Sequence, residues 1–326
     1  MNIIIIEGSV FKERQKIMLT LTKKYKIGVL CGDLRSVYLA LEFQSKGFDV
    51  YAYGLCEDEA VSINNICQNP LDIIDKCNVL ILPLPATRDN IYVHSKSPQI
   101  KIKLSEILST TSSSKIIFGG ILPVYFIDMC NQLGHRGFDY YTSEELIKKN
   151  ALATAEGALM IAMSNTHTTI RDSSFGVIGY GRIATRLAGM LKALGGNVRV
   201  FARSQEALLD ARRDGYEAFK LSENKDDGYL REFSDKLNNC SVIFNTVPSV
   251  ILNEDILLKL SLRQIYIELA SSPGGIDLEC ARRLKLKNIY APSLPGRYSP
   301  KSAGKYIFDE IIKVLNNLEG LESEVL

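Results

Sequence analysis

The sequence predicts an α/β protein of two doubly wound parallel-sheet domains with a cleft between them. Three observations carry that expectation. Short unbroken apolar runs, each followed by a helical pattern, recur along both halves of the chain, as in parallel sheets covered on both faces. One of these runs, Phe175 to Ile178, leads straight into Gly179-x-Gly181-x-x-Ala184. The chain also has 326 residues, enough for about two domains.

The first α/β unit begins at Tyr25. Ile27–Cys31 reads as a strand, Gly32-Asp33-Leu34-Arg35 as the turn into a helix to about Lys46, and Gly47 as the glycine that ends it. Further strands are expected at Phe48–Tyr53, Val79–Leu82, Lys115–Phe118 and Phe138–Tyr141. This half is Rossmann-like or flavodoxin-like, but its turn has a single glycine. Asp33 stands where a pyrophosphate would otherwise lie, so no dinucleotide is expected there. Residues 1–17 read either as a short extra strand or as a loosely attached extension. They do not read as a signal peptide, because the run Ile3–Ile6 is short and Glu7, Lys12, Glu13, Arg14 and Lys16 follow it.

A connecting helix is expected from Asn150 to about Arg171. Ala151, Leu152, Ala155, Ala158, Leu159, Ala162 and Met163 give it a small-residue apolar face, with Thr154 as its cap and Glu156 at its start. A plain core helix explains most of this pattern equally well. The domains expected are therefore 1–150, with 1–17 as an extension, and 151–300, with 151–171 as the connection. A C-terminal helix, 301–326, can pack back on the first domain.

In the second half, Gly179 permits a tight turn, Gly181 lets a pyrophosphate approach the backbone, and Ala184 lets the helix lie close to the strand. Tyr180, Arg182 and Ile183 complete the fingerprint, and Ile183, Leu187, Met190, Leu191 and Leu194 form the helix's apolar face. The helix N-terminus offers free N–H groups to phosphates. Later strands are expected at Asn197–Phe201, Tyr216–Phe219, Ser241–Thr246, Gln264–Leu269 and Asn288–Tyr290, with a surface loop at Ser222–Asp227. Both domains thus read as Rossmann-like.

The strand after the fingerprint ends in Ala202-Arg203-Ser204, not in the acid that would accept from an NAD ribose. Arg203 and Ser204 suit a 2′-phosphate, and Arg182 adds charge, so the cofactor expected is NADP. Ligands of such sheets bind beyond the carboxyl ends of the strands. That rule selects Thr246, Val247, Pro248, Ala270 and Ser271 beside the cofactor, and Asp33, Arg35, Thr87, Arg88 and Gly120 in the first half. Leu294–Gly304 reads as a loop stiffened by Pro295 and Pro300. It gathers Arg297, Ser299, Lys301 and Ser302, which suit a carboxylate or phosphate. Glu156 is either a proton acceptor or only a helix-end charge.

Other classes are excluded by composition. The net charge is +2 and no basic stripe with interleaved aromatics occurs, against nucleic acid. The seven cysteines never form Cys-x-x-Cys and the three histidines, His94, His135 and His167, lie far apart, so neither a disulfide frame nor a metal site is expected. No apolar run is long enough to span a membrane. No Ser-His-Asp order or paired carboxylates point to hydrolysis.

Four stretches together carry a resemblance: Gly32-Asp33-x-Arg35, Thr154-Ala155-Glu156-Gly157-Ala158, Gly179-Tyr180-Gly181-Arg182-Ile183-Ala184 and, above all, Leu294-Pro295-Gly296-Arg297-Tyr298-Ser299-Pro300-Lys301-Ser302-Ala303-Gly304. With these the chain resembles the dipicolinate synthase A-subunit family, from about Met18 to about Leu318. The fingerprint is shared with many dehydrogenases; the last motif is the specific one. Cys31 departs from the small residue expected ahead of Gly32, and residues 1–17 have no counterpart. The resemblance implies NADP-dependent oxidation of dihydrodipicolinate to pyridine-2,6-dicarboxylate during sporulation, in the mother-cell cytoplasm. It implies a partner, the flavoprotein-like B-subunit, and leaves room for a homo-oligomer. With two carboxylates to neutralise, Arg297, Ser299 and Lys301 are candidates for one, and Arg35, Thr87 and Arg88 for the other. The proton passes to water or to Glu156. Two alternatives stand beside this: another two-domain NAD(P)-dependent dehydrogenase of a small acid, and a non-catalytic nucleotide-binding assembly subunit.

Overall fold

The computed structural model describes residues 18–55, 62–109, 113–222 and 226–320. The expectations for residues 1–17, and part of that for the 222–227 loop, lie outside them. The chain forms two compact units. One comprises the residues up to Lys149 and those from Ser299 onward; the other is Asn150–Tyr298.

In the first unit, β1 (Lys26–Leu30), β2 (Asp49–Tyr53), β3 (Asn65–Ile66), β4 (Val79–Ile81), β5 (Ile116–Gly119) and β6 (Arg136–Asp139) are all parallel. Their spatial order is β3-β2-β1-β4-β5-β6, the doubly wound order. The helices are α1 (Leu34–Ser45), α2 (Pro70–Lys76), α3 (Leu104–Ser109) and α4 (Val124–Gln132), with the start of α5 (Glu144–Asn165). Successive strand side chains face opposite sides. Val79 and Ile81 therefore join one core layer, with Val29, Phe43 and Ile311. Leu80 and Leu82 join the other, with Ile73, Ile107 and Phe126. That is why these strands read as unbroken apolar runs.

In the second unit, β7 (Ser174–Ile178), β8 (Asn197–Ala202), β9 (Glu217–Lys220), β10 (Val242–Asn245), β11 (Ile265–Glu268) and β12 (Lys287–Tyr290) are again all parallel. Their order, β12-β11-β10-β7-β8-β9, is the same arrangement read from its other edge. The connecting helices are α6 (Arg182–Ala193), α7 (Gln205–Arg213), α8 (Asp227–Asn238), α9 (Glu254–Leu257), α10 (Leu278–Arg283) and α11 (Leu294–Tyr298). Each unit is thus a Rossmann-like α/β domain.

The last helix, α12 (Pro300–Leu318), belongs to the first unit. Ile307, Phe308, Ile311, Ile312 and Leu315 share a core with Val37, Ala40 and Phe43 of α1. The crossing is close: a Cβ at Gly304 would lie 2.7 Å from the Arg35 carbonyl oxygen and 2.9 Å from the Leu39 nitrogen. Only glycine lets the two backbones meet there.

Several local expectations need correction. The connecting helix starts at Glu144, not Asn150. Thr154 therefore does not cap it; its hydroxyl donates to the Asn150 carbonyl one turn back, at 2.8 Å. Glu156 lies deep inside α5, too far from the end to feel the helix terminus. Leu194 follows α6 and is half exposed rather than part of its buried face. The 294–304 stretch is not a loop but α11, a break at Ser299, and the first turns of α12. Tyr140 and Tyr141 belong to a 3-10 turn after β6 rather than to the strand.

Candidate cofactor and substrate edges

In the second unit, the glycine turn sits between β7 and α6, where the strand order reverses. Gly179 has φ +96, and a Cβ there would lie 2.3 Å from the Thr246 hydroxyl and 3.0 Å from a Val247 methyl. The turn is tied to both neighbouring strands. Gly179 N–H donates to the Phe201 carbonyl at 2.7 Å, and the Thr246 hydroxyl and N–H donate to the Ile178 carbonyl at 2.8 and 3.0 Å. Gly181 is the N-cap residue of α6 and no side chain caps that end. A Cβ at Gly181 would meet nothing within 4 Å. The first turn of α6 thus faces open space that suits a pyrophosphate, as the dinucleotide fit requires. Ala184 is fully buried and lets α6 lie close to the sheet, while Ile183 is half-buried and Arg182 exposed.

Tyr180 points away from chemistry of its own. Its hydroxyl donates to Asp214 at 2.6 Å and its ring meets Tyr216 edge-on at 6.0 Å. Burial and the Asp214 carboxylate push its pKa up. At the end of β8, Arg203 is exposed and Ser204 caps α7, its oxygen accepting from the Ala207 N–H at 3.2 Å.

Two residues that sequence reasoning missed organise the rest of this edge. Asn245 and Glu268 end adjacent strands and stand directly opposite in register. Asn245 is 4% exposed and Glu268 is 3% exposed. The Asn245 amide donates to Glu268 Oε1 at 2.7 Å and to the Val247 carbonyl at 2.8 Å, while its oxygen accepts from the Val247 N–H. Glu268 also accepts from the Ala270 N–H at 3.0 Å and the Gly275 N–H at 2.7 Å. One buried pair therefore fixes the loop of Thr246, Val247 and exposed Pro248 and the loop of Ala270 and exposed Ser271. Burial raises the Glu268 pKa; the hydrogen bonds from Gly275, Asn245 and Ala270 oppose it. The available signal was a polar residue closing an otherwise apolar strand, Val-Ile-Phe-Asn and Ile-Tyr-Ile-Glu.

In the first unit, the matching turn is filled by its own side chains. Cys31 and Gly32 have φ 61 and 110, and Asp33 caps α1 by accepting from the Arg35 N–H at 3.0 Å. The same carboxylate holds the Arg35 guanidinium, with Nη2 at 2.8 Å and Nε at 2.9 Å. Arg35 is 7% exposed and also donates to the Leu84 carbonyl. Burial disfavours both charges, but their pairing lowers the Asp33 pKa and raises that of Arg35. Thr87 is buried and donates to Asp89 at 3.1 Å, while Arg88 is exposed. Gly120 accepts from the Ala86 N–H at 2.7 Å. His94, also missed, joins this edge. It is half-buried, and the charges of Arg88, Asp33, Arg35 and Lys96 all act on it.

The remaining candidates are more scattered. Arg297 is exposed and stacks its guanidinium over the Tyr298 ring at 5.2 Å. Ser299 is half-buried and makes no capping hydrogen bond to α12; Lys301 is exposed on that helix's first turn. Glu156 is exposed on α5. Among the described residues, no group of three or more His, Cys, Asp or Glu side chains is placed to hold a metal, and no helix is long and apolar enough to cross a membrane.

Comparison with known proteins matches each unit separately. Residues 26–141 match the family model of the dipicolinate synthase A-subunit N-terminal domain. Residues 154–264 match that of the D-isomer specific 2-hydroxyacid dehydrogenase NAD binding domain. The dipicolinate synthase A-subunit of Bacillus subtilis (strain 168) is 29% identical over 305 residues, covering 92% of this chain and 98% of the relative. The crystal structure of that Bacillus subtilis protein aligns with a TM-score of 0.73 at 27% identity, over 91% of this chain and 97% of that one. That of the A-subunit from Bacillus halodurans aligns with a TM-score of 0.72 at 23% identity, over 89% and 97%. A transhydrogenase from Sinorhizobium meliloti, 13% identical with a TM-score of 0.60 over 90% and 94%, shares the fold. With its first domain matched by that family's own N-terminal model and 92% of its length aligned with a 29% identical A-subunit, the chain is similar to dipicolinate synthase A-subunits, and its second unit is similar to a dehydrogenase NAD binding domain.

Proposed function

We propose that this chain oxidises dihydrodipicolinate to pyridine-2,6-dicarboxylate with NADP, together with a second, flavoprotein-like subunit, in the mother cell during sporulation. The observation that carries the cofactor reading is the uncapped glycine turn at Gly181 followed by Arg203-Ser204 in place of a ribose-binding acid. The similarity to a dipicolinate synthase A-subunit over 92% of the chain supports the substrate and the partner.

The bound nicotinamide supplies the hydride acceptor. The N–H groups at the start of α6 hold the pyrophosphate, and Arg203 with Ser204 holds the 2′-phosphate by charge-assisted bonds. The Asn245–Glu268 pair keeps the Thr246–Pro248 and Ala270–Ser271 loops in one geometry. Arg35, Thr87 and Arg88 are proposed for one substrate carboxylate, and Arg297, Ser299 and Lys301 for the other. One ring hydrogen would pass to the hydride acceptor with the electron pair of its C–H bond, a proton from the neighbouring ring position would be lost to water or to exposed Glu156, and the ring would become aromatic. Aromatisation drives the step, so the protein's share is orientation and charge neutralisation.

Two measurements test this. NADPH absorbance should rise when freshly generated dihydrodipicolinate is added with NADP and the flavoprotein-like partner; no change with or without that partner leaves only a nucleotide-binding role. Calorimetry should show NADP binding tighter than NAD by at least ~10-fold, with Arg203→Ala removing most of the preference, since a charge-assisted bond contributes about 1.5–3 kcal/mol. Equal affinities in the native chain would overturn the NADP assignment.

A further inference from the structure

We propose that the second unit carries a ligand site apart from its cofactor turn, made by Arg231, Ser234, Asp235 and Lys259, for a small phosphate monoester with a free hydroxyl. The four residues line a cavity of about 390 Å³, a size that takes small molecules.

The cavity is built from two elements. Arg231, Ser234 and Asp235 stand at i, i+3 and i+4 on α8, and so on one face of it. Lys259 comes from the turn after α9. Asn238, at the end of α8, fastens the two together. Its amide donates to the Lys259 carbonyl at 2.9 Å, and its oxygen accepts from the Ser261 N–H at 2.8 Å. The Gln264 amide donates to the Cys240 carbonyl at 2.8 Å and ties the same region to the start of β10. Since α8 ends just before β10 and Lys259 precedes β11, the cavity lies toward the amino edge of the parallel sheet. Gly181 and the Asn245–Glu268 pair lie at its carboxyl edge.

Ser234 is the telling residue. It is 2% exposed, it lines the cavity, and its hydroxyl makes no hydrogen bond. Other helical hydroxyls of this chain turn back to the carbonyl one turn earlier, Thr154 to Asn150 at 2.8 Å and Thr185 to Gly181 at 2.9 Å. A buried hydroxyl left unpaired is costly, and a ligand that pairs with it recovers that cost. The charges around it are unspent as well. Arg231, Asp235 and Lys259 are exposed, and among the described residues none of them forms an ion pair. An oxyanion between Arg231 and Lys259 takes charge-assisted bonds from both and accepts from the Ser234 hydroxyl. The Asp235 carboxylate repels a second anion but accepts from a hydroxyl. The set therefore fits one phosphate group on a hydroxylated carbon frame.

The test is calorimetry on the full chain with D-ribose 5-phosphate as the probe, with and without saturating NADP. Expected is binding whose affinity NADP leaves unchanged. It should fall by at least ~10-fold in Arg231→Gln and in Lys259→Gln, as for loss of a charge-assisted bond. Both positions are exposed, so the fold tolerates either change. Inorganic phosphate should bind several-fold more weakly than the probe, with Asp235→Asn closing that gap. Ser234→Ala should weaken probe binding and yet raise the ligand-free melting temperature of the second unit by about 2–4 °C, because it removes an unpaired buried hydroxyl. No binding, displacement of the probe by NADP, or full affinity in both cation variants overturns the site. Equal binding of D-ribose overturns the phosphate class. An unchanged or lower melting temperature in Ser234→Ala means a hydroxyl already satisfied, and overturns the site equally.

Discussion

The two sheets have the same strand order, yet the turns at their switch points are opposites. Both turns place the N-cap residue three positions after the last residue of the first strand. In the first unit that residue is Asp33, which closes the helix end and pairs with Arg35. In the second it is Gly181, which leaves the helix end bare and the space over it open. One residue type therefore divides the labour. A bare N-terminus attracts phosphate through backbone N–H groups. A capped one carries its own anion, and in the first unit that anion is already paired with Arg35. The fold gives each unit a carboxyl edge, and the N-cap decides what that edge presents: a paired carboxylate in one and free N–H groups in the other.

This contrast can be broken from either side. The largest effect is expected from Asp33→Ala, which removes a cap and strands a guanidinium whose side chain is 8% exposed. A loss of about 3 kcal/mol in urea unfolding is expected; a loss under about 1 kcal/mol would show that Arg35 does not depend on this carboxylate. Because the Asp33 pKa is depressed in the folded chain, the same contribution is present above the ordinary value of 3.8 and is lost as pH falls through the folded value. Gly181→Asp is the converse change and gives the second unit the first unit's cap. It should leave the fold intact, since a Cβ there meets nothing within 4 Å, and raise stability by a few tenths of a kcal/mol. It should weaken NADP binding by at least ~100-fold, because a carboxylate then faces the pyrophosphate. Unchanged affinity by calorimetry would place the cofactor elsewhere.

The smallest effect probes how the bare edge is held. Every hydrogen-bond partner of Glu268 is a donor, so Glu268→Gln must turn an amide N–H toward one of them. Cofactor affinity should fall a few-fold, about 1 kcal/mol, while the fold persists. The folded pKa of Glu268 is raised, so its contribution is greatest below the ordinary value of 4.5 and is lost as pH rises through the folded value. Glu268→Gln should remove that part of the stability profile, read as the urea midpoint against pH. An identical slope in the variant would assign the titration to another group.

Local patterns carried most of the fold. Strands such as Val79–Ile81 and Val242–Asn245 are legible because each is an apolar run that fills two core layers by itself. The fingerprint is legible because its turn, cap and packing residue are contiguous. The misreadings arose where one residue type serves two structures. Pro295 and Pro300 suggested a stiff loop, but both sit at the starts of helices, where a missing N–H costs nothing. The small residues from Ala151 onward hid the true start of α5, which the acidic pair Glu144-Glu145 marks. The site residues that escaped are those joined only in space. Asn245 and Glu268 lie 23 residues apart and meet through strand register. His94 returns to Ala86, its N–H donating to that carbonyl, only because the chain after β4 turns back, and no periodicity announces such a return.

The placement of α12 has a consequence for how the chain is made. The first unit is interrupted in sequence: it runs to Lys149 and resumes only at Ser299. Its α1 face, with Val37, Ala40 and Phe43, is sealed by Ile307, Phe308, Ile311 and Leu315 from the last helix. A ribosome that has released residues through Tyr298 has therefore delivered every strand of both sheets and the whole second unit, but a first unit still lacking one wall. Domains fold as units during synthesis, so the second unit is the one able to fold first. The earlier-made unit must wait, with α1 uncovered, until α12 has been made.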